Sequence, residues 1–270
     1  MKRTDLAMEA HSIWQKAENC KKIPGISAET DENDAFHTTI VNILDADGEQ
    51  ALGKPRGTYV SMELHDRSGA VRKKTAAALA HYLQKLLPAD AAQSVMVVGL
   101  GNRKVTPDAL GPLTVDGLLV TRHIAGDFSF FRPVSALCPG VLGRTGLESI
   151  EVVRGILQTA QPTCVVVVDA LAAAEPSHIG TVVQVSNAGI QPGAGVGNHR
   201  AAFDAKTLGV PVVAIGVPTV CDLDEQGSGR IVTVADIDAA VGGMAKMLSE
   251  ALNRALQPAL SQEEIEEFIL

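Results

Sequence analysis

Cys164-Val165-Val166-Val167-Val168-Asp169-Ala170-Leu171 is the stretch on which the reading of the fold turns. Four consecutive valines leave no polar face, so a strand built from them has to be covered on both sides, as parallel strands are between layers of helix. Just upstream, residues 147–157 repeat their apolar positions with helical spacing, and Pro162 ends that repeat before the valines begin. The same grammar recurs at Val95-Met96-Val97-Val98-Gly99-Leu100, an apolar run stopped by Gly101-Asn102. After it comes Thr106-Pro107, read as an N-cap followed by proline at the first helical position.

Working outward, residues 70–87 place Ala76, Leu79, Ala80, Leu83 and Leu87 on one face of an amphipathic helix that Pro88 terminates. Residues 37–44 and 58–64 read as strands joined by turns at Asp45-Ala46-Asp47-Gly48 and Gly53-Lys54-Pro55-Arg56-Gly57. Residues 181–185 and 212–217 supply further strands, and 236–256 a long closing helix. The alternation predicts an α/β protein with a mostly parallel sheet flanked by helices. We read residues 1–270 as a single domain, with a strand-rich segment at 1–69, a core at 70–256 and an acidic tail at 257–270. The tail mixes Ile265, Phe268 and Ile269 with glutamates, which suits either a short docking helix or a frayed end.

Composition narrows the class. At 46% hydrophobic and 3% aromatic the core has to be built from aliphatic residues. Cys20, Cys138, Cys164 and Cys221 are widely spaced with no C-x-x-C pair, which argues against zinc ribbons and disulfide scaffolds. No apolar stretch approaches the ~18 residues that span a bilayer, and no apolar segment follows the charged start, so the expectation is a cytoplasmic protein without membrane contact. A net charge of −8 disfavours direct nucleic-acid binding and makes a basic protein the more natural partner.

In open α/β sheets the functional crevice lies beyond the carboxyl ends of the strands. Asp169 stands there after the valine run, where desolvation raises a carboxyl pKa. Asp108 is placed in a first helical turn, where backbone N–H groups and the helix dipole favour its ionised form. Two such carboxyls held close can divide the work of activating water and protonating a leaving amide nitrogen. Spacing alone leaves the plainer reading open, in which one is a helix-terminal charge and the other a turn residue. The glycine-dense stretch 189–200 is read either as a backbone surface for an extended peptide or as a long connection. Gly99-x-Gly101 is only a weak dinucleotide signal, because Lys104 occupies the third glycine position. No P-loop, H-E-x-x-H or G-x-S-x-G motif is present, and Ser177-His178 is an isolated pair rather than part of a triad.

Several segments together resemble the germination proteases. They include Arg3-Thr4-Asp5-Leu6-Ala7-Met8-Glu9-Ala10, Gly53-Lys54-Pro55-Arg56-Gly57-Thr58-Tyr59, Val98-Gly99-Leu100-Gly101-Asn102 and Thr106-Pro107-Asp108-Ala109-Leu110-Gly111-Pro112. Others are Val120-Thr121-Arg122-His123, Arg132-Pro133-Val134-Ser135-Ala136, Asp169-Ala170-Leu171-Ala172-Ala173 and Gly216-Val217-Pro218-Thr219-Val220. The resemblance spans nearly the whole chain. It implies an endopeptidase that begins the degradation of small acid-soluble spore proteins during germination, inside the forespore or spore core. By motif, the family's two proposed catalytic aspartates fall on Asp108 and Asp169. Asn102, Gly193, Gly195, Gly197, Asn198 and His199 are the candidate substrate-binding residues, with no cofactor and no metal.

The family likeness further implies a core like that of the hydrogenase-maturation endopeptidases, with extra N-terminal strands, and a homo-oligomer, usually a tetramer. It brings an alternative, in which Asp108 and Asp169 bind a metal as in a metal-dependent maturation protease. A non-catalytic peptide-binding module is the other alternative. Family members are usually made as zymogens with a removable N-terminal extension, which the resemblance implies here too, whereas only Met1 and Lys2 precede the Arg-Thr-Asp-Leu motif and leave a conventional propeptide almost no room. The short connection at 222–229 replaces a longer polar insertion usual in the family.

Overall fold

A computed structural model describes residues 3–18, 22–90, 92–197, 200–223 and 230–269. In chain order the described elements begin with α1 (Ala7–Glu18), β1 (Ile26–Glu32), β2 (Phe36–Ile43), α2 (Ala46–Leu52), β3 (Gly57–Leu64), α3 (Gly69–Leu86) and β4 (Val95–Gly99). They continue with α4 (Leu110–Asp116), β5 (Val134–Leu137), α5 (Leu142–Thr145), α6 (Ser149–Ala160), β6 (Cys164–Ala173) and β7 (Val182–Ser186). The chain closes with α7 (Ala205–Leu208), β8 (Val212–Asp222), β9 (Ile231–Val232), α8 (Ile237–Leu256) and α9 (Gln262–Ile269). Short 3-10 turns occupy Thr106–Asp108, Pro176–His178 and Ala194–Val196.

All the described strands join one sheet in the order β1-β2-β3-β7-β8-β6-β4-β5, with β9 added to the end of β8. Only the β5-β4-β6-β8 half is parallel, and the pairings β1-β2, β2-β3, β3-β7, β7-β8 and β8-β9 are antiparallel. The expected mostly parallel sheet is therefore corrected to a mixed one. The difference lies in the N-terminal strands and β7: β1 returns into β2 through a short turn, which enforces antiparallel pairing, and β7 runs antiparallel to both β3 and β8.

The valine run behaves as its composition requires. Val166 and Val168 enter a core shared with α3 and α8, while Val165 and Val167 enter one shared with Ile150 and Val153 of α6 on the opposite face. Cys164 is buried with them. Helix α3 is capped by Ser68, whose hydroxyl accepts from Val71 N–H, and it packs Leu79 and Leu83 against α8. Tail helix α9 is ordered by Ile265, which is buried, and by Phe268, whose ring meets Phe131 edge to face. No described helix is long and apolar enough to cross a membrane.

Four local expectations are revised. Asp45-Ala46-Asp47-Gly48 is not a turn between strands but the N-cap and first turn of α2, because the Asp45 carboxylate accepts from Gly48 N–H. Thr106 does not cap a helix; Val105 stands at the cap position, and the Thr106 hydroxyl donates to Asp238 of α8 at 2.9 Å. Asp169 does not end its strand, since β6 runs on to Ala173. Likewise β8 continues through Pro218 to Asp222, because Pro218 falls where the β6-β8 register shifts and a missing N–H is tolerated.

Candidate active site

The carboxyl ends of β4, β6 and β8 open into a cavity of about 490 Å³. Asp108 and Asp169 both line it, along with Asp5, Glu148 and Arg200. Asp169 is carried by β6 opposite Gly216 of β8 and is only 6% exposed. Its Oδ1 accepts from Ala170 N–H at 2.9 Å. Asp108 reaches the same space from the 3-10 turn between β4 and α4.

Backbone close approach makes this juxtaposition possible. A Cβ on Gly111 would lie 2.7 Å from the Val168 carbonyl oxygen and collide with the backbone of Leu100, so only glycine lets the first turn of α4 rest on the strand ends. Gly101 adopts φ +112°, and a Cβ there would strike the Asp108 carbonyl. With that space free, Asn102 N–H donates both to Asp108 Oδ2 and to the Asp108 carbonyl, each at 2.9 Å.

Burial raises the pKa of Asp108, against the opposing effects of the Asn102 N–H and the Arg200 charge. The expectation that a helix terminus would favour its ionised form is thus overturned, because a three-residue 3-10 turn presents little dipole and desolvation outweighs it. Asp169 is held well above the usual carboxylate range, first by its burial and next by the like charge of Asp108. The negative charge of Asp108 is thus felt at Asp169 across the shared cavity.

Of the substrate-binding candidates, Gly193 lines the cavity. Asn102 directs its N–H to Asp108 and accepts Lys104 N–H on its side chain at 3.1 Å. Gly195 and Gly197 face the N-terminal segment, where they meet Asp5 and Arg3. Asn198 and His199 lie outside the described residues. His178 of the Ser177-His178 pair bonds Glu9 at 2.6 Å. Among the described residues no group of three or more His, Cys, Asp or Glu side chains is arranged to hold a metal ion.

Asp5 and Arg200 were not singled out from the sequence. Asp5 is bound to a strand 167 residues away, a contact with no local signature beyond its place in the Arg3-Thr4-Asp5-Leu6 motif. Arg200 closes the glycine-rich stretch, and its charge is felt by both Asp108 and Asp169.

Comparison with known proteins finds relatives over nearly the whole chain. The germination protease family model matches residues 3–228. A germination protease of Caldanaerobacter subterraneus subsp. tengcongensis is 36% identical over 99% of this chain and 98% of its own. One from Clostridium tetani is 34% identical over 99% of each chain, and one from Geobacillus sp. is 41% identical over 82% of this chain and 63% of its own. On this evidence the chain belongs to the germination protease family.

Proposed function

We propose that the protein is an endopeptidase that initiates degradation of small acid-soluble spore proteins during germination, with Asp108 and Asp169 as its catalytic carboxyls. The observation that carries this reading is the placement of two carboxyls on the wall of one cavity, one of them almost fully buried. Family membership supports the peptidase class, and the relatives' name supports a role in germination.

The environments favour different roles for the two. Asp108 carries the stabilising Asn102 N–H and faces Arg200, so it ionises first; Asp169 keeps its proton because of burial and the Asp108 charge. Ionised Asp108 takes a proton from water as the water oxygen bonds to the scissile carbonyl carbon. Asp169 then gives its proton to the amide nitrogen as the C–N bond breaks, and passage of a proton from Asp108 to Asp169 restores the starting state.

The parallel half of the sheet, with carboxylates at its rim, is the part to which the likeness to hydrogenase-maturation endopeptidases would apply. A homotetramer in the spore core is the working assembly, and analytical ultracentrifugation checks it.

Incubation with a small acid-soluble spore protein, followed by mass-spectrometric mapping, tests the activity. Discrete internal fragments are expected, and a stable complex without fragments would instead indicate a binding module. Asp108→Asn and Asp169→Asn are each expected to lower turnover by about 10²–10⁴-fold with the fold retained. Near-native turnover in either variant would remove the pair from the mechanism.

A further inference from the structure

The N-terminal Arg3-Thr4-Asp5-Leu6 motif takes no part in the chemistry above, yet it is built into the wall of the cleft. Asp5 pairs with both backbone groups of one residue on β6. Its N–H donates to the Ala172 carbonyl at 2.9 Å, and its Oδ2 accepts from Ala172 N–H at 2.8 Å. Ala172 is where the β6-β8 register shifts, three residues beyond Asp169, so the carboxylate supplies a partner at an irregularity of the ladder. The Gly195 backbone also lies against the Asp5 carboxylate.

Contact on the loop side is equally close. A Cβ on Gly195 would lie 2.7 Å from Ala172 Cβ and collide with the Asp5 carboxylate. One step further, the Arg3 guanidinium lies against Gly197. Arg3 and Asp5 thus meet Gly197 and Gly195 in opposed order, at the C-cap and within the 3-10 turn at Ala194–Val196. From behind, Lys54 Nζ donates to the Thr4 and Asp5 carbonyls at 3.1 and 3.0 Å, and Gln184 Nε2 donates to the Asp5 carbonyl at 3.2 Å. Leu6, fully buried with Leu171, Ala173 and Val182, pins the segment.

We propose that Asp5 is a positioning residue for peptide hydrolysis, its carboxylate tying the 193–197 loop to the strand that carries Asp169 and so setting the width of the cleft. This rests on the dyad reading above. The charge of Asp5 is also one of the influences on Asp169. The charged groups around it are Asp169, Asp108, Arg200 and Glu148 on the cleft side, and Lys54 and Glu9 behind.

The test uses the full-length protein and a small acid-soluble spore protein, comparing Asp5→Asn, Gly195→Ala and Asp169→Asn for kcat, pH profile and thermal unfolding. Asp5→Asn is expected to lower kcat by about 10- to 100-fold, the scale of a slightly misplaced catalytic group. It is also expected to move the alkaline limb of the profile to lower pH, since loss of a neighbouring negative charge lets Asp169 ionise earlier. Gly195→Ala is expected to lower kcat without moving that limb, because it forces the loop away while the charges stay. A purely structural role would cost folded protein and leave the limb in place.

Wild-type kcat and pH profile in Asp5→Asn would overturn the proposal while an inactive Asp169→Asn left the dyad standing. Turnover retained by Asp169→Asn would overturn both. Should Asp5→Asn fail to fold, wild-type kcat in Gly195→Ala overturns the proposal by itself.

Discussion

The two halves of the sheet use the same residue types to opposite ends. In the parallel half, β4 is buried at every position and β6 at nearly every one, so Asp169 is desolvated simply by occupying its place in the strand. In the antiparallel half, β1 is exposed at all but its first residue, and its Glu29, Asp31 and Glu32 stand in water on an edge strand. Charge on an edge is an ordinary guard against strand pairing with other chains. An acidic residue therefore carries chemical meaning here according to the layers around its strand, and the contrast can be tested at four points.

The largest effect is expected at Asp169. Beyond loss of turnover, Asp169→Asn should raise the midpoint of thermal unfolding at pH 7. The folded carboxyl holds its proton to higher pH than an unfolded aspartate, with its ordinary value of 3.8, so stability falls as pH rises through the window between the two. Asparagine removes that cost, and the difference from wild type should shrink as pH drops toward 4. An unchanged or lower midpoint at pH 7 would break the contrast at its centre.

Next comes the helical layer over the parallel strands. Leu248 of α8 is fully buried in the core shared with Val166 and Val168, and Leu248→Ala should cost about 2–5 kcal/mol in denaturant unfolding. A cost below about 1 kcal/mol would show that this layer is loosely packed.

A smaller effect belongs to the seam between the halves, where α1 meets the end of β6. Glu9 accepts from Ala174 N–H at 2.8 Å, Glu175 N–H at 3.0 Å and the Thr4 hydroxyl, and it pairs with His178, which also has Glu63 at 3.7 Å. Its hydrogen bond to Glu9 raises the His178 pKa above its ordinary 6.5. The stabilisation is full below 6.5 and is lost as pH rises through the raised value. His178→Gln should therefore be less stable than wild type by about 1.5–3 kcal/mol at pH 6, with the curves converging in alkali. Parallel curves across the range would deny the pair its charge.

The smallest effect is expected on the edge. Thr30 of β1 is exposed, and Thr30→Ala should change stability by no more than about 0.5 kcal/mol. A larger loss would mean that β1 is covered by a partner in solution.

Much of the parallel half was legible. The runs at Val95 and Val165 carry their burial in their own composition, and the helices at α3, α6 and α8 carry theirs in apolar spacing. Strand β1 was not, because Ser27-Ala28-Glu29-Thr30-Asp31-Glu32 has no apolar face and is a strand only through its pairing with β2. Helix α2 read as a turn because Asp-x-x-Gly serves equally well as a helix N-cap. The full lengths of β6 and β8 were hidden by Asp169 and Pro218, residues that usually stop strands and here do not, since each is answered from a neighbouring segment.

By itself, then, the order of residues determined which segments are apolar, where Asp108 and Asp169 fall relative to them, and the family they resemble. Tertiary structure alone decided that half the sheet is antiparallel, that burial raises the pKa of both carboxyls, and that Asp5 is tied to the strand that carries Asp169. The reason is physical: periodicity and composition are local properties, whereas desolvation and a hydrogen bond across 167 residues exist only once distant segments have packed.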